Sequence, residues 1–151
     1  MVIPSNYMMR STNLIQCIYR MSKFHNIEEV QWLYEHIKTD LVRTGTCDIY
    51  RGVPDKYPDL KKRLGPAGRE VRISGQKLTL LVKLNKTELE KGLECSHLCH
   101  NKGCMNTEHI VAEPHYVNMD RKRCQIERAD LGSPQLCFGH RIGDKTYPDC
   151  I

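Results

Sequence analysis

The most informative segment of this chain covers residues 94–124 and reads ECSHLCHNKGCMNTEHIVAEPHYVNMDRKRC. Within it, two cysteines and a histidine form a C-x4-C-x4-H pattern at Cys99, Cys104 and His109. Thiolates and imidazoles are the ligands that structural zinc takes in a tetrahedral site. The pattern therefore predicts a zinc-binding loop in the second half of the chain.

Length and composition limit the class of protein. The chain has 151 residues, which is the size of one ordinary domain. It contains 2 Phe and 1 Trp, so few large side chains can anchor a core, and structural metal ions would add stability. A net charge of +5 and a pI of about 8.8 favour a polyanionic partner.

The 8 cysteines could form disulfides or bind metal ions. The N-terminal residues contain no basic segment followed by an unbroken apolar run, so we expect neither a secretory signal nor a membrane span. His109 and His140 lie among cysteines at ligand-like spacings, for which a disulfide framework has no use. We therefore favour zinc, with a secreted disulfide protein as the alternative.

The zinc-binding loop supplies three ligands and needs a fourth, for which Cys47 and Cys95 are the candidates. A ligand at Cys95 would draw the nearby His97 towards the metal. Cys47 would close a long segment of chain, where a cross-link stabilises most, and we prefer it. A second set of three cysteines and one histidine follows at Cys124, Cys137, His140 and Cys150. We expect two structural zinc ions.

Periodicity and turn signals divide the rest of the chain. Residues 1–25 are predicted to be an N-terminal extension, partly ordered or lying over the domain, with Cys17 as a free thiol. Residues 26–43 predict an amphipathic helix that is capped by Asn26 and stops by Gly45. Four shorter elements follow: a strand at 47–50, a basic loop at 52–68, a hairpin of 70–74 with 77–82, and a short helix at 87–91.

The predicted hairpin has the shape of a DNA-binding ribbon. Arg69 and Arg72 flank or lie on its first strand. A two-stranded ribbon with outward basic residues fits the major groove of DNA.

Residues suited to phosphodiester hydrolysis lie around the zinc-binding loop. A neutral histidine can take a proton from water near neutral pH, and His97 is the candidate. A hard divalent cation prefers oxygen ligands such as the side-chain carbonyl of Asn118. Pro114 can start a helix that brings Asn118 into one cleft with His97. From spacing alone, the alternatives are that His97 is a zinc ligand or a loop histidine with satisfied hydrogen bonds.

The segment SHLCHNKGCMNTEHI at residues 96–110, with Asn118 and Cys124, resembles the His-Cys box homing endonucleases. These form a branch of the ββα-metal (HNH-like, or His-Me finger) nucleases. The resemblance implies an α+β, ββα-metal fold with a β-hairpin and two structural zinc sites. It also implies an endonuclease that hydrolyses double-stranded DNA with one catalytic Mg²⁺.

The resemblance further implies roles for single residues. His97 corresponds to the general base and Asn118 to the magnesium-binding asparagine. Arg69 and Arg72 are both candidates for the arginine near the scissile phosphate, and His100 fits a packing position. The implied zinc ligands are Cys47, Cys99, Cys104 and His109 in the first site, and Cys124, Cys137, His140 and Cys150 in the second.

The chain also departs from the family pattern. The spacing within its second zinc set is longer than in the type member, which dimerises through an exchanged C-terminal tail. The sequence ends at Ile151, so we expect either a homodimer through another surface or a monomer that nicks DNA. Asp120 and Arg121 extend the superfamily's helix pattern and would hold the helix or contact backbone phosphate.

These expectations give one zinc-braced nuclease domain over residues 26–151. It divides into a helix (26–44), a hairpin and DNA-binding part (46–93), a catalytic core (94–123) and a second zinc module (124–150). A eukaryotic DNA substrate would imply a nuclear location, and otherwise we expect an intracellular one without a membrane partner. The second hypothesis is a non-catalytic zinc module that binds nucleic acid or protein, for which His97 and Asn118 would be unnecessary.

Overall fold

A computed structural model of the chain describes residues 24–64, 68–130, 137 and 139–151. The predicted extension over residues 1–25 lies almost wholly outside them, as does Cys17. Within the described residues, the chain forms three α-helices and four two-stranded antiparallel sheets. The predicted α+β class is confirmed.

Each sheet pairs two strands that follow one another in the chain. Short 3₁₀ turns at Lys38–Asp40 and Thr107–His109 join some of the elements. In chain order the elements are α1 (Ile27–Ile37), β1 (Leu41–Thr44), β2 (Cys47–Tyr50), β3 (Asp59–Leu64), β4 (Arg69–Ser74), α2 (Gly75–Leu84), β5 (Leu93–His97), β6 (Ile110–Pro114), α3 (His115–Asp130), β7 (His140–Ile142) and β8 (Lys145–Tyr147).

Helix α1 begins at the predicted cap. The side chain of Asn26 accepts a hydrogen bond from the backbone N–H of Glu29 at 3.0 Å, and Glu29 accepts one from the backbone N–H of His25 at 2.8 Å. These contacts satisfy amide donors that have no partner within the helix. The face that α1 buries consists of Val30, Leu33, Tyr34 and Ile37.

The predicted end of this helix is wrong. Helix α1 stops at Ile37, and the chain continues into strand β1 rather than remaining helical to residue 43. Val42 and Thr44 are β-branched and favour the strand, which pairs with β2. Gly45, at φ 57°, forms the turn between β1 and β2 and does not end a helix.

The predicted hairpin is also wrong in its second strand. Residues 77–82 belong to helix α2, and β4 pairs instead with β3, inside the segment predicted to be a loop. A short apolar run fits a strand or a buried helix equally well, and leucines favour the helix. Leu78 and Leu81, three residues apart, are both buried. The short helix predicted at residues 87–91 is absent from this described segment.

The core lies where α1 and α2 pack against the β3–β4 hairpin. One member, Met105, comes from the zinc-binding loop, and the Tyr34 hydroxyl donates to its carbonyl at 3.2 Å. The zinc-binding loop is therefore attached directly to the core. Completely buried members of this core are Val30, Leu33, Ile37, Val71, Leu78 and Met105.

Strands β5 and β6 and helix α3 form the ββα unit. In the antiparallel register, His97 lies opposite Ile110 and Leu93 lies opposite Pro114. The zinc-binding loop connects the two strands. Pro114 ends β6 and α3 starts at the next residue, so Asn118 lies about one turn into the helix, as predicted.

Gly103 allows the zinc-binding loop to pack closely on the chain after β2. Its N–H donates to the Pro54 carbonyl at 2.8 Å, and its carbonyl accepts from the N–H of Tyr50 at 3.1 Å. A Cβ at this position would lie 2.1 Å from the carbonyl oxygen of Val53.

We predict that Gly103→Ala lowers the free energy of unfolding by about 1–3 kcal/mol, because backbone must move to admit the methyl group. Urea unfolding followed by circular dichroism measures the loss. Lys102→Ala, at the exposed neighbouring position, serves as the control and should remain close to wild type. Equal stability of the two variants would contradict the close approach described above.

Candidate metal centres and catalytic cleft

Two groups of metal-ligating side chains stand out among the described residues. The first cluster joins β2 to the zinc-binding loop, and its four ligand atoms lie within 4.8 Å of one another. His109 Nδ1 is 3.5 Å from the Sγ atoms of both Cys47 and Cys104. A tetrahedral zinc ion with ordinary bond lengths separates nitrogen and sulfur ligands by about 3.5 Å. The members of the first cluster are Cys47, Cys99, Cys104 and His109.

The structure thus brings together the four residues that the sequence grouped, with Cys47 rather than Cys95 as the fourth. Cys95 lies on β5 at the edge of a cleft, where burial raises the pKa of its thiol to about 11. His97 is not a member of the cluster. The four residues therefore fit a structural Cys₃His zinc site in which His97 is not a ligand.

The sulfurs of the first cluster are close enough to alter one another's ionisation. A hydrogen bond from the Cys99 thiol lowers the pKa of Cys104 to about 4, and the same contact raises the pKa of Cys99. Burial raises the pKa of Cys47. Zinc ligands bind as thiolates, so zinc binding would release protons from these thiols.

The second cluster connects α3 to the C-terminal hairpin β7–β8. His140 Nε2 lies 3.1 Å from Cys150 Sγ and 3.3 Å from Cys137 Sγ, and Cys124 Sγ lies 3.9 Å from Cys137 Sγ. The two clusters can bind two zinc ions. The members of the second cluster are Cys124, Cys137, His140 and Cys150, again with ligand atoms within 4.8 Å of one another.

Asp120 has a role that the sequence did not reveal. Its Oδ2 lies 2.8 Å from Nδ1 of His140. Because a carboxylate only accepts, it favours the tautomer with a proton on Nδ1, which leaves Nε2 for the metal. Asp120 therefore supports the second cluster, and its predicted contact with phosphate stays a prediction.

Arg121 holds the ββα unit together from inside. It is 1% exposed and donates to both carboxylate oxygens of Glu113 on β6, at 2.7 and 2.9 Å. It also donates to the Pro148 carbonyl at 2.7 Å. The sequence predicted that Arg121 either holds the helix or contacts backbone phosphate, and its burial agrees with the first of these roles.

His97 lies at the end of β5, where it is 9% exposed. Its Nε2 is 2.9 Å from the carbonyl oxygen of Cys104. A carbonyl oxygen only accepts, so Nε2 carries the proton and Nδ1 keeps a lone pair. Burial lowers the pKa of His97, which favours the neutral ring. The ring of Tyr57 is stacked near it, with the two centroids 6.1 Å apart.

Asn118 is held by two side chains of β5. Ser96 Oγ donates to its Oδ1 at 3.1 Å, and its Nδ2 donates to Glu94 Oε2 at 3.0 Å. The other oxygen of Glu94 lies 2.9 Å from Nδ1 of His115. The Asn118 hydrogen bond, followed by that of His115, lowers the pKa of Glu94. Sequence reasoning missed Glu94, although strand alternation places it on the same face as Ser96.

His97 and Asn118 line one open cleft of about 960 Å³. Positive and negative side chains share its wall, and Tyr57 forms part of the rim near His97. Among the described residues that line this cleft, the lysines are Lys77, Lys91, Lys102 and Lys122, and the carboxylates are Glu88, Glu90 and Glu94.

The two arginines predicted near the phosphate lie elsewhere in the described structure. Arg69 forms an ion pair with Glu29 of α1. Arg72 lies on the exposed face of β4, with its Nε 3.0 Å from Oδ1 of Asp59. Neither is among the described residues that line the cleft. Their role at the phosphate stays a prediction.

His100 lines the cleft and has an unusual environment. Its backbone has φ 56°, and its Nε2 is buried without a hydrogen-bond partner among the described residues. Burial lowers the pKa of His100 to about 4. The ring is thus neutral, and its predicted packing role remains a prediction.

Strand, loop, strand and helix, with two Cys₃His clusters, define a zinc-containing nuclease fold of the His-Me class. The family model for the zinc-binding loop region of homing endonucleases matches residues 66–151, and the chain belongs to this family. Comparisons with curated proteins and with solved structures gave no match. No helix in the described part of the chain is long and apolar enough to cross a membrane.

We predict that Cys104→Ser reduces the zinc content from two ions per chain to one, because a hydroxyl is a poor substitute for a thiolate. Native mass spectrometry measures the content. Cys95→Ser is the matched control and should retain both ions. Two bound ions in the Cys104 variant would contradict the assignment of the first cluster.

We predict that Asp120→Ala weakens zinc binding at the second cluster by about 10- to 100-fold, because His140 loses the partner that fixes its ring. Competition with a coloured chelator measures the affinity. Glu127→Ala, on the same helix, is the control. An unchanged affinity in the Asp120 variant would show that its hydrogen bond does not support the metal.

Proposed function

We propose that the protein is a Mg²⁺-dependent DNA endonuclease in which His97 is the general base. The observation that carries this proposal is the contact between His97 Nε2 and the Cys104 carbonyl, in a cleft that also contains Asn118. That contact leaves Nδ1 as the proton acceptor. A purely structural module would have no need to fix this tautomer beside an open cleft.

In the proposed reaction, His97 Nδ1 takes a proton from a water molecule, whose oxygen forms a bond to phosphorus. The bond between phosphorus and the 3′ oxygen breaks, and that oxygen takes a proton from a second water molecule, which leaves a 5′-phosphate and a 3′-hydroxyl. His97 then releases its proton to solvent. Partial burial of His97 favours its neutral form, which is the form that can accept this proton. The ring is held against rotation by its hydrogen bond to Cys104.

The residues near Asn118 fit a hard divalent cation. The side-chain amide oxygen of Asn118 lies on the cleft beside the carboxylate of Glu94, and an amide oxygen is a donor that suits Mg²⁺. We propose that Asn118 holds the ion through Oδ1. When bound, Mg²⁺ supplies positive charge for the phosphate and the departing 3′ oxygen.

Contacts with DNA are proposed to come from two places. Lys77, Lys102 and Lys122 line the cleft and would give salt-dependent affinity for phosphates. The β3–β4 hairpin replaces the predicted ribbon as the element that enters the major groove, since Arg72 lies on its exposed face. Arg69 and Arg72 are retained as candidates for the charge near the scissile phosphate.

We predict that His97→Ala reduces cleavage of supercoiled plasmid by about 10²- to 10⁴-fold at low salt with Mg²⁺, because the variant loses the proposed proton acceptor. Agarose gels measure nicked and linear products, whose ratio also distinguishes a monomer from a homodimer. His36→Ala, an exposed histidine of α1, is the control. Both variants should retain two zinc ions.

Full activity of the His97 variant would contradict the assignment of the base. Absence of product from the wild type, together with salt-dependent DNA binding, would favour the non-catalytic zinc module.

We predict that Asn118→Ala reduces turnover much more than DNA affinity, because the residue is proposed to hold the ion and not the DNA. Cleavage rates and fluorescence anisotropy of labelled duplex DNA measure the two quantities. Equal losses in both would indicate a structural role for Asn118 instead.

A further inference from the structure

The carboxamide of Asn118 could adopt two orientations that differ by exchange of its oxygen and nitrogen. Ser96 does not choose between them, since its hydroxyl can donate to the oxygen or accept from the nitrogen. Glu94 does choose, because an ionised carboxylate can only accept. Its Oε2 lies 3.0 Å from the amide nitrogen, and the reversed orientation would place two acceptors in contact.

The carboxylate of Glu94 is itself held in place. One oxygen contacts Asn118 and the other lies 2.9 Å from Nδ1 of His115, the first residue of α3. Glu113 lies opposite Glu94 in the β5–β6 register, but its carboxylate is fully engaged with Arg121. Glu94 is therefore the carboxylate that this sheet presents to Asn118.

We propose that Glu94 is a positioning residue that fixes the carboxamide of Asn118 with its oxygen directed to a divalent cation. This inference rests on the proposed function, since it concerns the ion assigned to Asn118. The Asn118 oxygen can accept two interactions, and Ser96 uses one of them. The second remains for the cation. Without Glu94, the carboxamide would no longer be held, and it could turn to offer the cation an N–H group instead.

Positioning and direct ligation by Glu94 make different predictions when residue 118 is an aspartate. An aspartate carboxylate offers an oxygen in either orientation, so it does not need Glu94 to fix it. Positioning therefore predicts that Glu94→Ala weakens cation binding in the wild type but not in an Asn118→Asp background. Direct ligation predicts that Glu94→Ala weakens it in both backgrounds.

The test uses Mn²⁺ as the probe and does not depend on cleavage. Mn²⁺ is added to the zinc-loaded, ¹⁵N-labelled full chain, and paramagnetic broadening of the Ser96 and Asn118 backbone resonances is followed by NMR. Thiolate-rich sites hold zinc far more tightly than Mn²⁺, so the two clusters stay filled. Asn118→Ala checks that the broadening reports this site. Glu90→Ala, which removes another carboxylate of the same cleft, is the matched control.

We expect Glu94→Ala to need at least about tenfold more Mn²⁺ for the same broadening, which is a usual cost of losing a residue that supports a metal ligand. Glu94→Ala in the Asn118→Asp background should bind Mn²⁺ about as well as Asn118→Asp alone, and Glu90→Ala should remain close to wild type. Equal weakening by Glu94→Ala in the two backgrounds, or none in the wild type, would overturn the positioning role.

Cleavage supplies a second measurement. Glu94→Ala should raise the Mg²⁺ concentration for half-maximal rate by a similar factor, with little change in the rate at saturating Mg²⁺. A loss of rate that excess Mg²⁺ does not restore would contradict positioning.

The two proposals fail in distinguishable ways. Mn²⁺ broadening that depends on Glu94 in a protein that cuts no DNA would support the positioning role and overturn the nuclease. Absence of broadening near Asn118 in the wild type would overturn the cation site and both proposals together.

Discussion

The structure depends most on Cys104, which belongs to two interactions at once. Its sulfur is a member of the first cluster, and its carbonyl oxygen accepts the hydrogen bond from His97 at 2.9 Å. The next residue, Met105, is buried in the core and donates its N–H to the Asp48 carbonyl at 2.7 Å. The orientation of the histidine is therefore set by the same few residues that join the metal cluster to the core. Because this chain has few large aromatic side chains for its core, metal binding would supply stability that hydrophobic packing supplies in larger domains.

Backbone hydrogen bonds connect the end of strand β5 to both metal clusters. The N–H of Leu98, the residue after His97, donates to the carbonyl of His109 at 2.8 Å, and the Leu98 carbonyl accepts from the N–H of Ile151 at 2.9 Å. His109 is a ligand of the first cluster, and Ile151 follows Cys150 of the second. Helix α3 is held to the same unit by the buried pair of Arg121 and Glu113. Removal of one member of a buried ion pair lowers stability, because it leaves an uncompensated charge in the protein interior.

Local signals in the sequence predicted much of this arrangement. The cap at Asn26, the helix that carries Asn118 and the choice of Cys47 each follow from rules about short segments or chain closure. The segment 77–82 was predicted wrongly because its apolar run is too short for the spacing of its residues to distinguish a strand from a helix. In the structure it is a helix, which is buried between α1 and the sheet. The contacts of Glu94 depend on strand register and on the approach of α3, which only the tertiary structure supplies.

The two clusters differ in how much of the chain they close. The first joins Cys47 on β2 to ligands beyond β5, so its geometry exists only after the two halves of the domain have met. The ligands of the second all lie between Cys124 and Cys150, within one short segment. Closing a short loop costs less entropy than closing a long one. The topology therefore predicts an order of metal uptake during folding: we expect the C-terminal site to fill first, and the first site to fill only when the domain is complete.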